Sequence, residues 1–186
     1  MARQDSLAGP FEDIPIPKDA TLLDYEGELC VVLGEDVKNL SPDDDPLDYV
    51  LGYTSGNDVS SRFWQQQNQS GGQHGYAKSF DKFAPLGPVL VSRRVIKEPG
   101  DLTLKTWVNG ELRQNGNTND LIFDVPTLIR HLSRGMTLRK GTVIMTGTPS
   151  GVGIVQNPPA PLQDGDVVEV EISEIGRIKN KMVFIK

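Results

Sequence analysis

Leu22-Leu23-Asp24-Tyr25-Glu26-Gly27-Glu28-Leu29-Cys30-Val31-Val32-Leu33-Gly34 reads as a β-strand, because apolar and β-branched residues run up to a turn glycine. Residues two apart on a strand share a face. Glu26 and Glu28 therefore point the same way, with only Gly27 between them. Two adjacent carboxylates repel, and burying them unpaired is costly. The pair reads either as a solvated acidic edge or as a cradle for a hard divalent cation such as Mg2+.

The chain has 186 residues, enough for one domain with a sizeable core. Its net charge is −6 and its basic residues are scattered, which argues against a nucleic-acid partner or an anionic membrane surface. Cys30 is the one cysteine, so there is no internal disulfide framework. A lone thiol fits a reduced compartment, and the expected location is cytoplasmic, with a mitochondrial one left open although no transit signal is seen. No apolar run approaches the ~20 residues that span a bilayer, and the N-terminus lacks an apolar signal core. With 19 Gly and 13 Pro among short Val/Ile runs, turns should be frequent and helices few. The expected organisation is a single β-rich domain over residues 22–186. An irregular lead-in over residues 1–21 precedes it, where Pro10, Pro15 and Pro17 oppose regular structure and Ile14 and Ile16 tack the segment down.

Ser41-Pro42-Asp43-Asp44-Asp45 carries a helix-start signal, which Pro46 keeps short. Residues 49–60 read as a second strand, with Asp58 at its end as either a third carboxylate ligand or a turn residue. Arg62 and Gln65, three apart, share a face in a helical turn and can grip a carboxylate or keto oxygen. Residues 65–76 read as a mobile loop able to act as a lid; His74 in it is either solvated or brought to the site on closure. Lys78, beside Phe80 and Phe83, is expected to be partly buried and so to need an anionic partner.

Residues 89–92, 102–109 and 111–114 read as strands, with Asn109-Gly110 as a type I′ hairpin turn and residues 115–119 as a polar turn. Residues 124–135 give the clearest helix, with Asp124 as cap and Gly135 as stop; His131 lies off its apolar stripe. Residues 142–153 read as a strand and a glycine-rich loop. No GK[ST] follows, so it is no P-loop. Its N–H groups and the Thr146 and Thr148 hydroxyls either bind a small anion or simply make a tight connection. Residues 167–172 and 177–184 read as a closing antiparallel pair.

Five separated motifs resemble the fumarylacetoacetate hydrolase family in order and spacing. They are Asp24-Tyr25-Glu26-Gly27-Glu28-Leu29, Gly52-Tyr53-Thr54, Asn57-Asp58-Val59-Ser60-Ser61-Arg62 with Gln65, Lys78-Ser79-Phe80-Asp81, and Thr146-Gly147-Thr148-Pro149-Ser150-Gly151-Val152-Gly153. The resemblance implies an α+β, β-rich fold, the mixed β-roll of the family's catalytic domain, and a homodimer. It implies that Glu26, Glu28 and Asp58 hold Mg2+ (or Mn2+ or Ca2+), and that Arg62, Gln65, Lys78 and Thr148 touch substrate. The implied substrates are small 1,3-dicarbonyl or 2-keto acids. The implied chemistry passes through a metal-bound enolate to C–C hydrolysis, decarboxylation or tautomerisation, so the expected class is a hydrolase or lyase.

Related catalytic members carry an upstream His followed closely by a Glu, and nothing in residues 1–9 matches that pair. Hydrolysis depends on such a base more than metal binding does, and oxaloacetate decarboxylation asks less of one. His74 is the substitute base that the chain itself offers. The alternative reading is a non-catalytic or repurposed metal-binding member, acting as scaffold or pathway accessory.

Overall fold

The alternation over residues 22–34 becomes two strands, broken at Tyr25-Glu26. In the computed structural model, which describes residues 4–185, the strands in chain order are β1 (Leu7–Ala8), β2 (Ile14–Ile16), β3 (Leu23–Asp24), β4 (Gly27–Leu33), β5 (Val50–Asn57), β6 (Ser60–Ser61), β7 (Ala84–Ser92), β8 (Thr103–Val108), β9 (Glu111–Asn117), β10 (Val143–Met145), β11 (Val167–Ile172) and β12 (Gly176–Phe184). Two α-helices accompany them, α1 (Gln67–Ser70) and α2 (Val125–Leu132). One five-stranded sheet has the order β1-β7-β5-β4-β10, the other β2-β12-β11-β8-β9, and β3 pairs with β6 alone. Neighbours are antiparallel except β1 with β7 and β2 with β12, so both sheets are mixed. The β-rich roll implied by the motifs is the fold observed.

The apolar face of β4 fixes its register. Leu29, Val31 and Leu33 sink into a cluster with Leu104, Ile129 and Ile172. Leu23 and Tyr25 join a second cluster with Val168, Val170 and Ile178. Burying each such aliphatic side chain contributes about 1.5–3 kcal/mol, and a one-residue slip would turn the whole set outward. The opposite parity, residues 24, 26 and 28, is thereby held on the other face. Gly27 sits at the handover between the two clusters, where a Cβ would collide with Thr106 Oγ1 and crowd Gln114 and Val170. Only glycine lets β4 lie this close to the second sheet.

Three local expectations shift. The N-terminal stretch is not wholly irregular: Leu7 and Ala8 pair with Ala84 and Pro85, and Ile14–Ile16 pair with Met182, Val183 and Phe184. Pro15 is tolerated because β2 is a sheet edge. Residues 1–3 of that stretch, and Lys186, lie outside the described residues. The helix signal at Ser41 acts four residues later. Asp45 caps a 3-10 turn at Pro46–Tyr49 by accepting from the Leu47 N–H at 3.0 Å, while Ser41 and Asp44 close a turn on each other. The polar run 115–117 continues β9, because pairing with β8 outweighs its turn composition.

Other readings stand. Asn109 and Gly110 have φ of 51° and 83°, as a type I′ turn requires. Asp124 caps α2 through the Thr127 N–H at 2.8 Å. Residues 65–76 hold the four-residue α1 inside the expected loop. Among the described residues, no helix is long and apolar enough to cross a membrane.

Candidate active site

Pairing of β4 with β5 sets Gly27 opposite Asn57, and the Asp58 N–H donates to Glu26 O at 2.9 Å. Asn57 Oδ1 accepts from the Glu26 N–H at 2.9 Å and steadies the break between β3 and β4. The result is that Glu26, Glu28 and Asp58 converge, each placing a carboxylate oxygen within 4.8 Å of the others'. Lys78 ends the 3-10 helix Tyr76–Lys78 and reaches across. Its Nζ lies 2.6 Å from Glu26 Oε2 and is ion-paired with Asp58 as well. Arg62 Nη1 stands 2.7 Å from Glu26 Oε1 and donates to Gln65 Oε1 at 2.9 Å. The expected shared face of Arg62 and Gln65 is thus a direct contact. Phe63, Trp64, Tyr76, Phe80 and Phe83 form a chain of ring contacts, centroids 5.0–5.3 Å apart, that ties the Arg62 segment to the Lys78 segment.

The glycine-rich loop binds anions, but those anions are the chain's own carboxylates. The Gly147 N–H donates to Glu28 Oε2 at 2.7 Å. The Gly153 and Ile154 N–H groups donate to Asp24 at 2.7 and 3.0 Å. Thr146 Oγ1 donates to Leu29 O, and Thr148 Oγ1 donates to Gly27 O at 2.9 Å while accepting from Gln114 Nε2 at 2.8 Å. The loop is therefore both a tight connection and an anion-binding backbone.

Charge is not balanced here. Among the described residues, Asp24, Glu26, Glu28 and Asp58 form ion pairs only with Arg62 and Lys78, four acids against two cations. Burial, reinforced by nearby Asp58, pushes the Glu28 carboxyl up to about 8. Burial likewise raises Asp58. Burial works against the Lys78 charge too, but Asp58 and Glu26 outweigh it and hold its proton above the ordinary lysine range. A cluster of hard oxygen donors with more acids than paired cations around it is chemically suited to a divalent cation.

His74 is exposed, and among the described residues it makes no hydrogen bond or ion pair with the carboxylates. Three residues of the site carried no assigned role in the sequence reading: Asp24, Asn57 and Gln114. Asp24 had a signal, since it shares the parity of Glu26 and Glu28. Gln114 had none, because its amide acts across the two sheets. A cleft of about 250 Å³ opens beside the same loop, lined by Leu29, Leu104, Leu121, Phe123, Thr148 and Pro149; none of the three converging carboxylates lines it.

Residues 1–183 match the family model described as the fumarylacetoacetate (FAA) hydrolase C-terminal domain. A mitochondrial oxaloacetate tautomerase of Xenopus laevis is 45% identical over 178 residues, covering 96% of this chain and 55% of the relative. A fumarylacetoacetate hydrolase from psychrophilic Exiguobacterium antarcticum superposes with a TM-score of 0.90 at 43% identity, covering 99% of this chain and 65% of that one. A 5-carboxymethyl-2-hydroxymuconate delta-isomerase from Mycobacterium smegmatis gives 0.87 at 39% identity, covering 100% and 68%. The chain thus spans a little over half the length of the frog relative. Motif order, the mixed-sheet roll and these likenesses agree, and the chain belongs to the fumarylacetoacetate hydrolase family.

Proposed function

We propose that the chain is a divalent-cation-dependent enzyme that enolises a small 1,3-dicarbonyl or 2-keto acid, with keto–enol tautomerisation or decarboxylation as the outcome. The observation that carries this reading is the convergence of Glu26, Glu28 and Asp58, with acids in excess of the cations that pair with them among the described residues. These three residues would hold the cation. When bound, it supplies Lewis-acid polarisation of the substrate's carbonyl oxygens.

The remaining steps fall to side chains. Arg62, whose Nη2 is free of protein partners among the described residues, binds the substrate carboxylate. Gln65 accepts from Arg62 through Oε1, which leaves its amide N–H groups for a keto oxygen. Lys78 keeps its proton and faces the site as a fixed positive charge, so it stabilises enolate oxygen and does not act as a base. Thr148 bounds the site on the Glu28 side. The frog relative's description as an oxaloacetate tautomerase supports this chemistry.

Hydrolytic C–C cleavage is the second reading, because the same enolate serves it. It needs a water-activating base as well. The chain's two histidines, His74 and His131, are both exposed, which favours the first reading.

The test adds oxaloacetate as its enol, and separately an acylpyruvate, and follows the loss of enol absorbance with Mg2+ and with chelator. Chelator-sensitive decay above the metal-only blank, with keto acid or released CO2 identified in the products, is the expected result. No acceleration by a sample that binds Mg2+ would favour the repurposed metal-binding member instead.

A further inference from the structure

Asp24 lies at the hub of two walls of the site. It is 1% exposed, and four donors converge on it. Oδ1 accepts from the Tyr25 N–H at 2.9 Å and the Gly153 N–H at 2.7 Å. Oδ2 accepts from the Ile154 N–H at 3.0 Å and from Arg62 Nε at 2.9 Å. Such a carboxylate has no acceptor capacity left over, and a buried charge is tolerated only when satisfied in this way.

The arginine side of the hub is equally constrained. A guanidinium has five N–H groups. The Nε–H goes to Asp24, and Nη1 goes to Glu26 and Gln65. Among the described residues only Nη2 is without a partner. The loop side is stapled in turn: Tyr25 Oη and Gln156 Nε2 both donate to Gly151 O, at 2.8 and 2.9 Å. A Cβ on Gly153 would stand 2.8 Å from Asp24 Oδ1 and collide with Ala160 O, so the close approach depends on that glycine.

We infer that Asp24 is a positioning residue: it pins Arg62 so that Nη2 alone is left for the substrate carboxylate, and it locks that arginine to the loop that carries Thr148. This rests on the proposed role of Arg62 in gripping substrate. Asp24 itself, with all four acceptor positions filled by protein donors, is not a substrate contact.

The test is a kinetic cycle with an activity-independent arm. In Asp24→Asn, whichever way the amide turns, its N–H2 faces two donors. KM for the keto acid should rise about tenfold, with a smaller fall in kcat. Arg62→Lys keeps the charge but has no Nε–H, and should raise KM comparably. The double variant should be no more than about twofold worse than the worse single variant, because both act through one contact. Mg2+ affinity of Asp24→Asn by calorimetry should stay within about threefold of the parent, since Asp24 bonds to none of the three carboxylates that would hold the cation. A roughly hundredfold, additive rise in the double variant would overturn the inference.

The second arm uses the unmodified chain. The Arg62 Nε–H signal in 15N NMR, assigned by its loss in Arg62→Lys, should exchange slowly with water. Exchange as fast as that of exposed arginines would overturn the inference even if Asp24→Asn does not fold. If neither oxaloacetate nor an acylpyruvate is turned over, the functional reading fails, and the NMR arm still decides whether Asp24 pins Arg62.

Discussion

Glu28 Oε2 accepts the Gly147 N–H at 2.7 Å, and among the described residues no lysine or arginine forms an ion pair with that carboxylate. Burial and Asp58 raise its carboxyl from the ordinary 4.5 to about 8. Between those two values the folded chain holds a proton that the unfolded chain has released. The metal-free protein should therefore lose stability as pH rises through this window, by up to about 1.4 kcal/mol per pH unit, and level off above it. Mg2+ held as proposed would displace the same proton, so stabilisation by Mg2+ should grow over the same range. Urea midpoints measured with chelator and with Mg2+ at several pH values check both statements. A chelated chain that becomes more stable toward pH 8 would contradict the burial of Glu28 as an uncompensated acid.

Gly27 is the next point of leverage. Its missing Cβ makes room for Thr106 Oγ1, a buried hydroxyl without a hydrogen-bond partner among the described residues. Gly27→Ala should destabilise the chain by about 1–3 kcal/mol through overpacking. Thr106→Ala should recover part of that loss in the double variant, because it removes the colliding atom and an unsatisfied polar group together. Equal destabilisation of the single and double variants by thermal unfolding would place the strain elsewhere.

Much of this arrangement could be read from residue order. Strand parity alone put Glu26 and Glu28 on one face, and the apolar positions Leu29, Val31 and Leu33 explain why that parity holds. The capping pattern of α2 and the Asn109-Gly110 turn are local chemistry, so they survive folding unchanged. Two of the misreadings come from tertiary pairing. Ile14 and Ile16 form a strand because β12 offers them a partner, and residues 115–117 extend because β8 does. Gln114 was illegible for the same reason: its amide bridges the Gly27 N–H, Thr148 Oγ1 and Pro149 O, which no spacing connects.

Lys78 pairs with Glu26 and Asp58, two of the carboxylates that would hold the proposed cation. The Lys78, Glu26 and Asp58 side chains are 20%, 11% and 13% exposed, so their pairs are largely shielded from water. Removing one partner of such a pair typically costs about 3–5 kcal/mol. Lys78→Met should therefore destabilise the chelated chain by roughly that amount, and by clearly less when Mg2+ is present to neutralise Glu26 and Asp58. Turnover should fall by about a hundredfold or more, since a fixed charge beside the developing enolate is lost. An identical stability deficit with and without Mg2+ would mean that Lys78 and the cation do not share these acids.

His74 supplies the sharpest contrast between sequence expectation and geometry. It is exposed in the turn after α1, which ends on Gly71 with φ of 61°. Lys78 is only four residues further on and lies among the carboxylates, yet among the described residues no hydrogen bond or ion pair links His74 to them. His74→Gln should leave kcat and KM within about twofold of the parent, as expected for a surface substitution, and should leave the pH–rate profile unchanged. A tenfold or greater loss of kcat, together with the loss of one limb of the pH–rate profile, would show that the loop closes and that His74 carries a proton in the reaction. That outcome would bring hydrolysis back as the leading chemistry, because the chain would then supply its own water-activating base.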